Sequence, residues 1–465
     1  MELESINSGI DSKALIDSIM AAERIPLRRM ELNQTILNKK NEIYSDVLGR
    51  LNNLKSRTAD LSDSSAFDVF SVTYSESSVV QISTGAGASP AAYDITVDNI
   101  ARAHTIGSDQ QSDPESALGL TAGTIQISGF EISIDSDDSL QSIMDKINDT
   151  EVITVAATIV DNVLRIKNND TGSEEIEIID DNDICLDLGL IDGTGDFKNE
   201  FIPAADASFS IDGQDIISSS NTVTDIIEDI TITLIGSGTT RAAISRDTSA
   251  IIGSITSLVN QYNSAVDLIY SKITEDRIMP PETEADKLTG LARGDSTLNS
   301  IRYRLGAMVS GAVDGLGSDF DQFADIGISR ASFSSEDSHN EDALIGKLQI
   351  DTEVLREAIE SDFEKVKDIF TKNNGVEGLE EYEYGMAVRL KKYMDLATDS
   401  DEGLISIKQD SFQSEVDYID ERIESMERFL ELKEQTITRK FIRMEQALAT
   451  MDTQSMWLQA QIGLM

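Results

Sequence analysis

Residues 416–458 read VDYIDERIESMERFLELKEQTITRKFIRMEQALATMDTQSMWL. Within this stretch Val416, Ile423, Leu430, Ile437, Met444, Met451 and Leu458 keep one strict heptad position. A repeat of seven holds apolar side chains on one stripe of a helix, which is the pattern of a coiled-coil seam. Ile419 and Met426 fill the second seam position early, Lys433 and Lys440 interrupt it, and Phe441, Leu448 and Ile462 take over one residue later. The seam therefore drifts, as in a bundle whose neighbours change along its length. Glu421, Arg422, Glu424, Glu427, Arg428, Glu431 and Lys433 form a charged outer face. The pattern predicts one long helix over 404–462.

The other end of the chain repeats the theme. Met30, Leu37, Tyr44 and Leu51 recur every seven residues, with Val47, Leu54 and Leu61 on the complementary spacing. Pro26 is tolerated only in the first turn of a helix, so it separates this helix from a shorter one over Ala14–Arg24, for which Asp11 is the expected N-cap.

From about Val69 to Arg246 the grammar changes to short alternating runs of Thr, Ile, Val and Ser, punctuated by Gly, Asn and Asp. Strands are expected at Ser71–Tyr74, Val79–Ser83, Tyr93–Val97, Thr124–Ser128, Glu131–Ile134, Val152–Ile159, Val163–Ile166 and Ile176–Ile179. A second series runs Ala207–Ile211, Gln214–Ile217 and Ile230–Ile235. Each series holds one expected helical insert, Leu140–Ile147 in the first and Thr224–Glu228 in the second.

Helical periodicity returns with Ile251, Ile255, Leu258, Val259, Tyr262, Val266, Ile269 and Ile273. A loop over Thr274–Leu288 follows, then a helix capped by Asp295, and a hairpin pairing Ile326–Ser329 with Lys347–Ile350. Two helices come next, one opened by Asp351 and one by a Ser361-x-x-Glu364 capping box. The fold class is α+β: a terminal α-helical coiled-coil or bundle stalk with inserted β-rich head domains.

With 84 Asp and Glu against 38 Lys and Arg, the net charge is −46. A surface this negative repels nucleic acid and anionic membranes and makes self-assembly sensitive to salt. Cys185 is the only cysteine, so no intrachain disulfide or thiolate zinc site is possible, and its setting is that of a small buried hydrophobe. Met1–Ile10 has neither a basic nor an apolar signal region, and no apolar run is long enough to span a bilayer.

Catalytic constellations are missing. His104 and His339 lie in different modules, and the chain has no GxGxxG, Walker A, HExxH or GxSxG motif. The runs Asp135–Asp138 and Asp180–Asp183 lack the EF-hand spacing and read as a helix cap and a solvated turn. Asn148-Asp-Thr and Asn169-Asp-Thr match the glycosylation triplet, which occurs by chance in a chain this rich in Asn and Thr. No catalytic, cofactor or metal site is expected.

Several passages resemble the flagellar filament cap family, also called hook-associated protein 2 or FliD. They are Ser8–Ser12 with Ile16–Met20, Glu23 and Pro26-Leu27; Phe67–Ser71; and Ala205–Gly213 with Ser220–Asp225 and Ile230–Leu234. Gly294–Leu298, Gly346–Asp351 through Phe370-Thr371, Gly403–Ile407, Phe441–Met451 and Gln461–Gly463 follow in the same order. Gly123–Gly129 with Leu140–Asn148 resembles the insert shared with flagellin and hook proteins. The acidity and the acidic loop Ser334–Asp342 depart from the family pattern.

The resemblance implies a non-catalytic annular homo-oligomer, a pentamer or hexamer, that sits at the distal filament tip outside the cell. There it promotes folding and polymerisation of exported flagellin and prevents its loss. Implied partners are further copies of the chain, flagellin, hook-filament junction proteins and an export chaperone at the C-terminal helix, with no nucleic acid and no membrane. Export would proceed through the flagellar type III apparatus without a cleaved signal. The implied division is 1–40 with 440–465 as a terminal helical region and 41–70 with 247–439 as a helical leg with a small hairpin. Residues 71–110 with 205–246 would form one β-rich head domain and 111–204 a second. Met30, Leu37, Tyr44, Leu51, Ile437, Met444, Leu448, Met451 and Leu458 are the expected assembly seam. Another axial flagellar protein and a surface adhesin are the rival readings.

Overall fold

The sequence alternation between helical and strand periods is resolved by a computed structural model that describes residues 11–180, 182–317, 320–332, 340–373 and 383–462. The chain divides into two compact units, Met1–Phe67 with Thr248–Met465, and Asp68–Asp247. Helices dominate the first, and the second, inserted into it, is built on strands.

Helix α1 (Ser12–Glu23) begins where the Asp11 carboxylate accepts from the Ala14 N–H at 2.9 Å. Helix α2 (Ile25–Ser62) carries Pro26 in its first turn, and the break between the two falls at Arg24. Its buried face is Leu37, Ile43, Tyr44, Val47, Leu51, Leu54 and Leu61.

The inserted unit contains β1 (Phe70–Tyr74), β2 (Val80–Thr84), β3 (Ala91–Asn99), β4 (Thr105–Gly107), β5 (Gly123–Ile127), β6 (Phe130–Ile134), α3 (Leu140–Asn148), β7 (Val155–Val160) and β8 (Val163–Asn168). After these come β9 (Ile178–Asp180), α4 (Ile184–Asp187), β10 (Glu200–Ile202), β11 (Ala207–Ile211), β12 (Gln214–Ser218), β13 (Thr222–Ile227), β14 (Ile230–Leu234) and β15 (Gly238–Arg246). Two-residue turns close four hairpins, among them Asp161-Asn162 between β7 and β8 and Asp212-Gly213 between β11 and β12, both with positive φ at each turn residue. Asn, Asp and Gly tolerate that region, and the turn twist then matches that of the strands.

A sheet in the order β1-β15-β3-β11-β12 faces a sheet β13-β14-β2 across a core of Ile82, Ile95, Val97, Phe209, Val223, Ile232 and Ile244. A separate core gathers Ile125, Ile127, Ile132 and Ile134 of the sheet β6-β5-β9, Leu164 and Ile166 of the sheet β10-β4-β8-β7, and Leu140, Ile143 and Ile147 of α3.

Two local expectations are corrected. Thr224–Glu228 is not helical: Thr224–Ile227 lies in β13, which pairs with β14 through Val223↔Ile232 and Ile227↔Ile230 around the Glu228-Asp229 turn. The β-branched residues Val223, Thr224, Ile226 and Ile227 favour a strand, and the hairpin buries Val223. The strand expected from Val152 begins at Val155, since Val152 is an exposed turn residue with φ 64°. Strands β4, β10 and β15 were not anticipated.

The chain then forms α5 (Thr248–Thr274), α6 (Ser296–Ser310), β16 (Ile328–Arg330), α7 (Glu341–Ile345), β17 (Leu348–Ile350), α8 (Thr352–Ser361), α9 (Phe363–Thr371), α10 (Met386–Thr398) and α11 (Leu404–Ile462). Asp295 caps α6 and Asp351 caps α8 as expected, and β16 pairs antiparallel with β17. The cap of α9 is Asp362, which accepts from the Lys365 N–H; Ser361 instead ends α8, its hydroxyl donating to the Ala358 carbonyl. A carboxylate one residue closer to the turn outcompetes the serine. At 59 residues α11 is unbroken, about 88 Å long at 1.5 Å per residue.

Candidate assembly surface on the terminal helices

Helices α1 and α2 both run antiparallel to α11. The Ser12 hydroxyl donates to Glu445 at 2.6 Å, Lys433 pairs with Glu23, and Arg24 pairs with Glu434 at 3.6 Å. Farther along, Gln34 donates to Asp420, and the Gln409 amide to the Ser45 hydroxyl at 2.8 Å. These polar contacts are exposed or only partly buried and contribute little each, below about 1 kcal/mol. Adhesion comes from a small core of Ile16, Met20 and Leu430, flanked by Leu27, Met426, Ile437 and Phe441.

The nine expected seam residues separate into two groups. Leu37, Tyr44 and Leu51 are buried in the chain's own helical core, and Met30 packs half-buried against it. Ile437 belongs to the small core under α1. On the last turns of α11, by contrast, Met444, Met451 and Leu458 are exposed and Leu448 is half-buried. Met456 and Trp457 are exposed beside them, at 59% and 62%. Five seam positions thus face the chain's own helices and four are presented outward.

Two residues that sequence reasoning missed are Leu15 and Ile19 of α1, both exposed. The signal was available: Leu15/Ile19 and Ile16/Met20 are two i,i+4 apolar pairs one residue out of phase, so one helix carries apolar surface on two sides.

Elsewhere the chemically suggestive residues are occupied structurally. His104 is fully buried: its Nδ1 accepts from the Ile176 N–H at 2.8 Å and its Nε2 lies 3.4 Å from the Glu200 carboxylate. His339 and most of the acidic loop, residues 334–339, lie outside the described residues, as do Ser8–Ile10 and Gly463. Asp138 precedes the Ser139 cap of α3 and is held by Lys146 at 2.6 Å. The Asp180 carboxylate accepts from the N–H groups of Asn182, Ile184 and Leu186, which ties the turn before α4. Burial pushes the Cys185 thiol up to about 12, far from a reactive thiolate. Among the described residues no cluster of three His, Cys, Asp or Glu is placed to hold a metal, and no helix is long and apolar enough to cross a membrane.

The terminal helices thus pack antiparallel on one another, and in the sequence a β-rich unit is inserted between them. The family profile described as the flagellar hook-associated protein 2 C-terminus matches residues 204–453, more than half of the chain, and that of its N-terminus matches residues 8–104. The chain belongs to the FliD family of flagellar cap proteins. Flagellar hook-associated protein 2 of Thermotoga maritima is 27% identical over 387 residues, 78% of this chain and 58% of that protein. The Salmonella typhimurium protein of the same name is 26% identical over 350 residues, 72% of this chain and 69% of that one. The match therefore spans less than two thirds of the Thermotoga protein's length. The crystal structure of the D1-D2-D3 domains of the cap protein FliD from Escherichia coli superposes with a TM-score of 0.59 at 24% identity, over 80% of this chain and 99% of that one. That likeness carries the α+β fold. FliD proteins are structural components of the flagellum, and membership disfavours the rival axial and adhesin readings. Residues 105–203, which neither FliD profile matches, run from β4 to β10.

Proposed function

We propose that this chain caps the distal end of a flagellar filament as an annular homo-oligomer of five or six copies, acting outside the cell. In this role it holds exported flagellin at the tip while each subunit folds and joins the filament, and it needs no catalytic group. The observation that supports this best is the uncovered apolar end of α11, Met444 to Leu458, on a helix whose earlier turns are covered by α1 and α2. Apolar surface at the tip of a long helix is stabilised by a neighbouring helix, from another copy or from flagellin.

Before assembly the same face suits an export chaperone, which would keep it from premature association. Passage through the flagellar export apparatus without a cleaved signal fits a chain whose single cysteine forms no disulfide to be broken. Hook-filament junction proteins would be the first surface met. The four-part division stated from the sequence goes with this role: 1–40 with 440–465 toward the filament, 41–70 with 247–439 as leg, and 71–110 with 205–246 and 111–204 as two head domains.

The test combines light scattering with negative-stain microscopy of the full chain, alone and with filaments of the cognate flagellin. Annular particles of five or six copies seated at filament ends are expected. A chain that stays monomeric at all concentrations and ignores filament ends overturns the reading.

A further inference from the structure

A second apolar stripe runs along α11, on a different side from its buried seam. Ile407, Tyr418 and Phe429 recur every eleven residues, with Leu432 beside them, and they are exposed at 56%, 59%, 53% and 62%. Eleven residues close on three helical turns, so these side chains stack in a line. Exposed Ser411, Ser414, Ser425 and Thr436 fill the intervening positions. The buried seam of Phe412, Val416, Ile419 and Leu430 lies about a third to a half of a turn away, so α2 leaves this stripe uncovered. Arg422 and Lys433 lie against the rings of Tyr418 and Phe429 on the seam side. The outer flank carries exposed Asp417, Glu421 and Glu424, with Arg428 paired to Glu424 at 3.8 Å.

A complementary surface exists on α6. Alone among the α-helices described, α6 contains no carboxylate, in a chain of net charge −46, and it contains Arg302 and Arg304. Between them Tyr303 stands 69% exposed, and Ser296, Ser300, Ala307 and Ser310 share its outward face. The Arg302 guanidinium is braced by the carbonyls of Leu344 and Ile345 and lies 4.9 Å from the Tyr303 ring centroid, which fixes the patch in place.

We propose that the outer stripe of α11 in one copy docks on the Tyr303 face of α6 in a second copy. Tyr418, Phe429 and Leu432 pack around Tyr303 above the small residues of α6, and the acidic flank of α11 meets the α6 arginines. The two surfaces differ, so the contact is heterologous and each copy offers one of each, as a closed ring requires. The inference rests on the annular reading above and adds the pair of faces that joins neighbours. Apolar side chains supply the attraction. In so acidic a protein, the carboxylate-free helix is where a neighbour's Glu421 and Glu424 approach without repulsion.

Cysteine cross-linking of the full chain tests it. The double variant Ser425→Cys/Ala307→Cys, mildly oxidised at assembling concentration, should give a ladder of covalent multimers, while each single variant gives none. Native Cys185 is buried and does not interfere. Glu421→Arg/Glu424→Arg, with helical content unchanged, should weaken assembly by about tenfold at low salt, the effect of two ion pairs becoming two repulsions. Rings seen by light scattering without a ladder would overturn this contact and leave the annular reading standing. No oligomer at any concentration would sink both. Dimers from Ser425→Cys alone would mean an isologous contact and also reject the inference.

Discussion

The Tyr44 hydroxyl of α2 donates a 2.9 Å hydrogen bond to the Asp295 carboxylate, the same carboxylate that accepts from the N–H groups of Thr297 and Leu298 to cap α6. One acid therefore starts a helix and ties it to α2. Burial, followed by the Asp295 charge, pushes the Tyr44 phenol well above its ordinary range, so it remains a donor at any working pH. Tyr44→Phe should destabilise the helical unit by about 1.5 kcal/mol, the value of a hydrogen bond to a charged acceptor. Asp295→Ala should cost about 2–3 kcal/mol, because the cap is lost and a buried hydroxyl is left unpaired. Urea unfolding followed by circular dichroism checks both, and an unchanged midpoint for Tyr44→Phe would refute the coupling.

Asp138 supplies a pH dependence in the β-rich unit. Burial pushes its carboxyl up, but the Lys146 ammonium, the Asp135 N–H and the Ser142 hydroxyl together outweigh burial and hold it below its ordinary 3.8. A carboxylate depressed in the folded state stabilises it at pH values above the unfolded value, and that contribution is lost as pH falls through the folded value. Acid unfolding of this unit should therefore steepen below about pH 4. Asp138→Asn should lower stability at pH 7 and flatten the acid limb. If wild type and Asp138→Asn lose stability in parallel between pH 5 and 3, Asp138 is not responsible.

Arg389, with 2% of its surface exposed, donates from Nε to the Tyr384 carbonyl and from Nη2 to the Ala312 carbonyl, both at 2.7 Å, and from Nη1 to the Gly311 carbonyl at 3.4 Å. It holds the chain after α6 to the segment that enters α10. Arg389→Met should cost about 3 kcal/mol, because buried carbonyls lose their donors. Arg389→Lys should not restore stability, since an ammonium cannot reproduce a planar fork. Thermal unfolding of the two variants decides: full rescue by lysine would contradict the geometric account.

Met444, Met451 and Leu458 are exposed, so replacing all three by Ser should leave the unfolding of the isolated chain within about 0.5 kcal/mol of wild type. The same substitutions should abolish capping of filament ends in microscopy. Leu37→Ala, at a buried position, should instead lower stability by about 2–4 kcal/mol. If the triple variant unfolds as easily as Leu37→Ala, the α11 end is core and not interface.

Assembly should also respond to salt. More than half of the net negative charge lies in Asp68–Asp247, so copies brought together repel through that unit. Oligomer mass should rise between about 10 mM and 0.5 M salt as the Debye length shrinks. A distribution indifferent to salt would reject this.

Much of the fold was legible because helices announce themselves locally. The seven-residue spacing of Val416 to Leu458 demanded a long helix, and α11 is that helix. Asp11, Asp295 and Asp351 cap where a short acceptor followed by an apolar run says they should. Strand β15 was not legible: Gly238-Thr-Thr-Arg-Ala-Ala has weak strand preference, yet it sits inside a five-stranded sheet between β1 and β3. Its partners, distant in sequence, impose its conformation. Thr224–Glu228 was misread for the related reason that a short β-branched segment takes the state its neighbour β14 offers.

For the candidate site the division has the same origin. Periodicity alone determined that the ends of this chain are long amphipathic helices around an inserted β unit, because local geometry forces a heptad repeat onto one helix face. Which stripe is consumed within the chain and which is left for a neighbour was decided only by the tertiary structure. Leu37, Tyr44 and Leu51 look the same in sequence as Met444, Met451 and Leu458, but α5, α10 and the first turns of α11 cover the former and nothing among the described residues covers the latter. Burial depends on what the rest of the chain places opposite a face, and the spacing of residues along one helix carries no record of that.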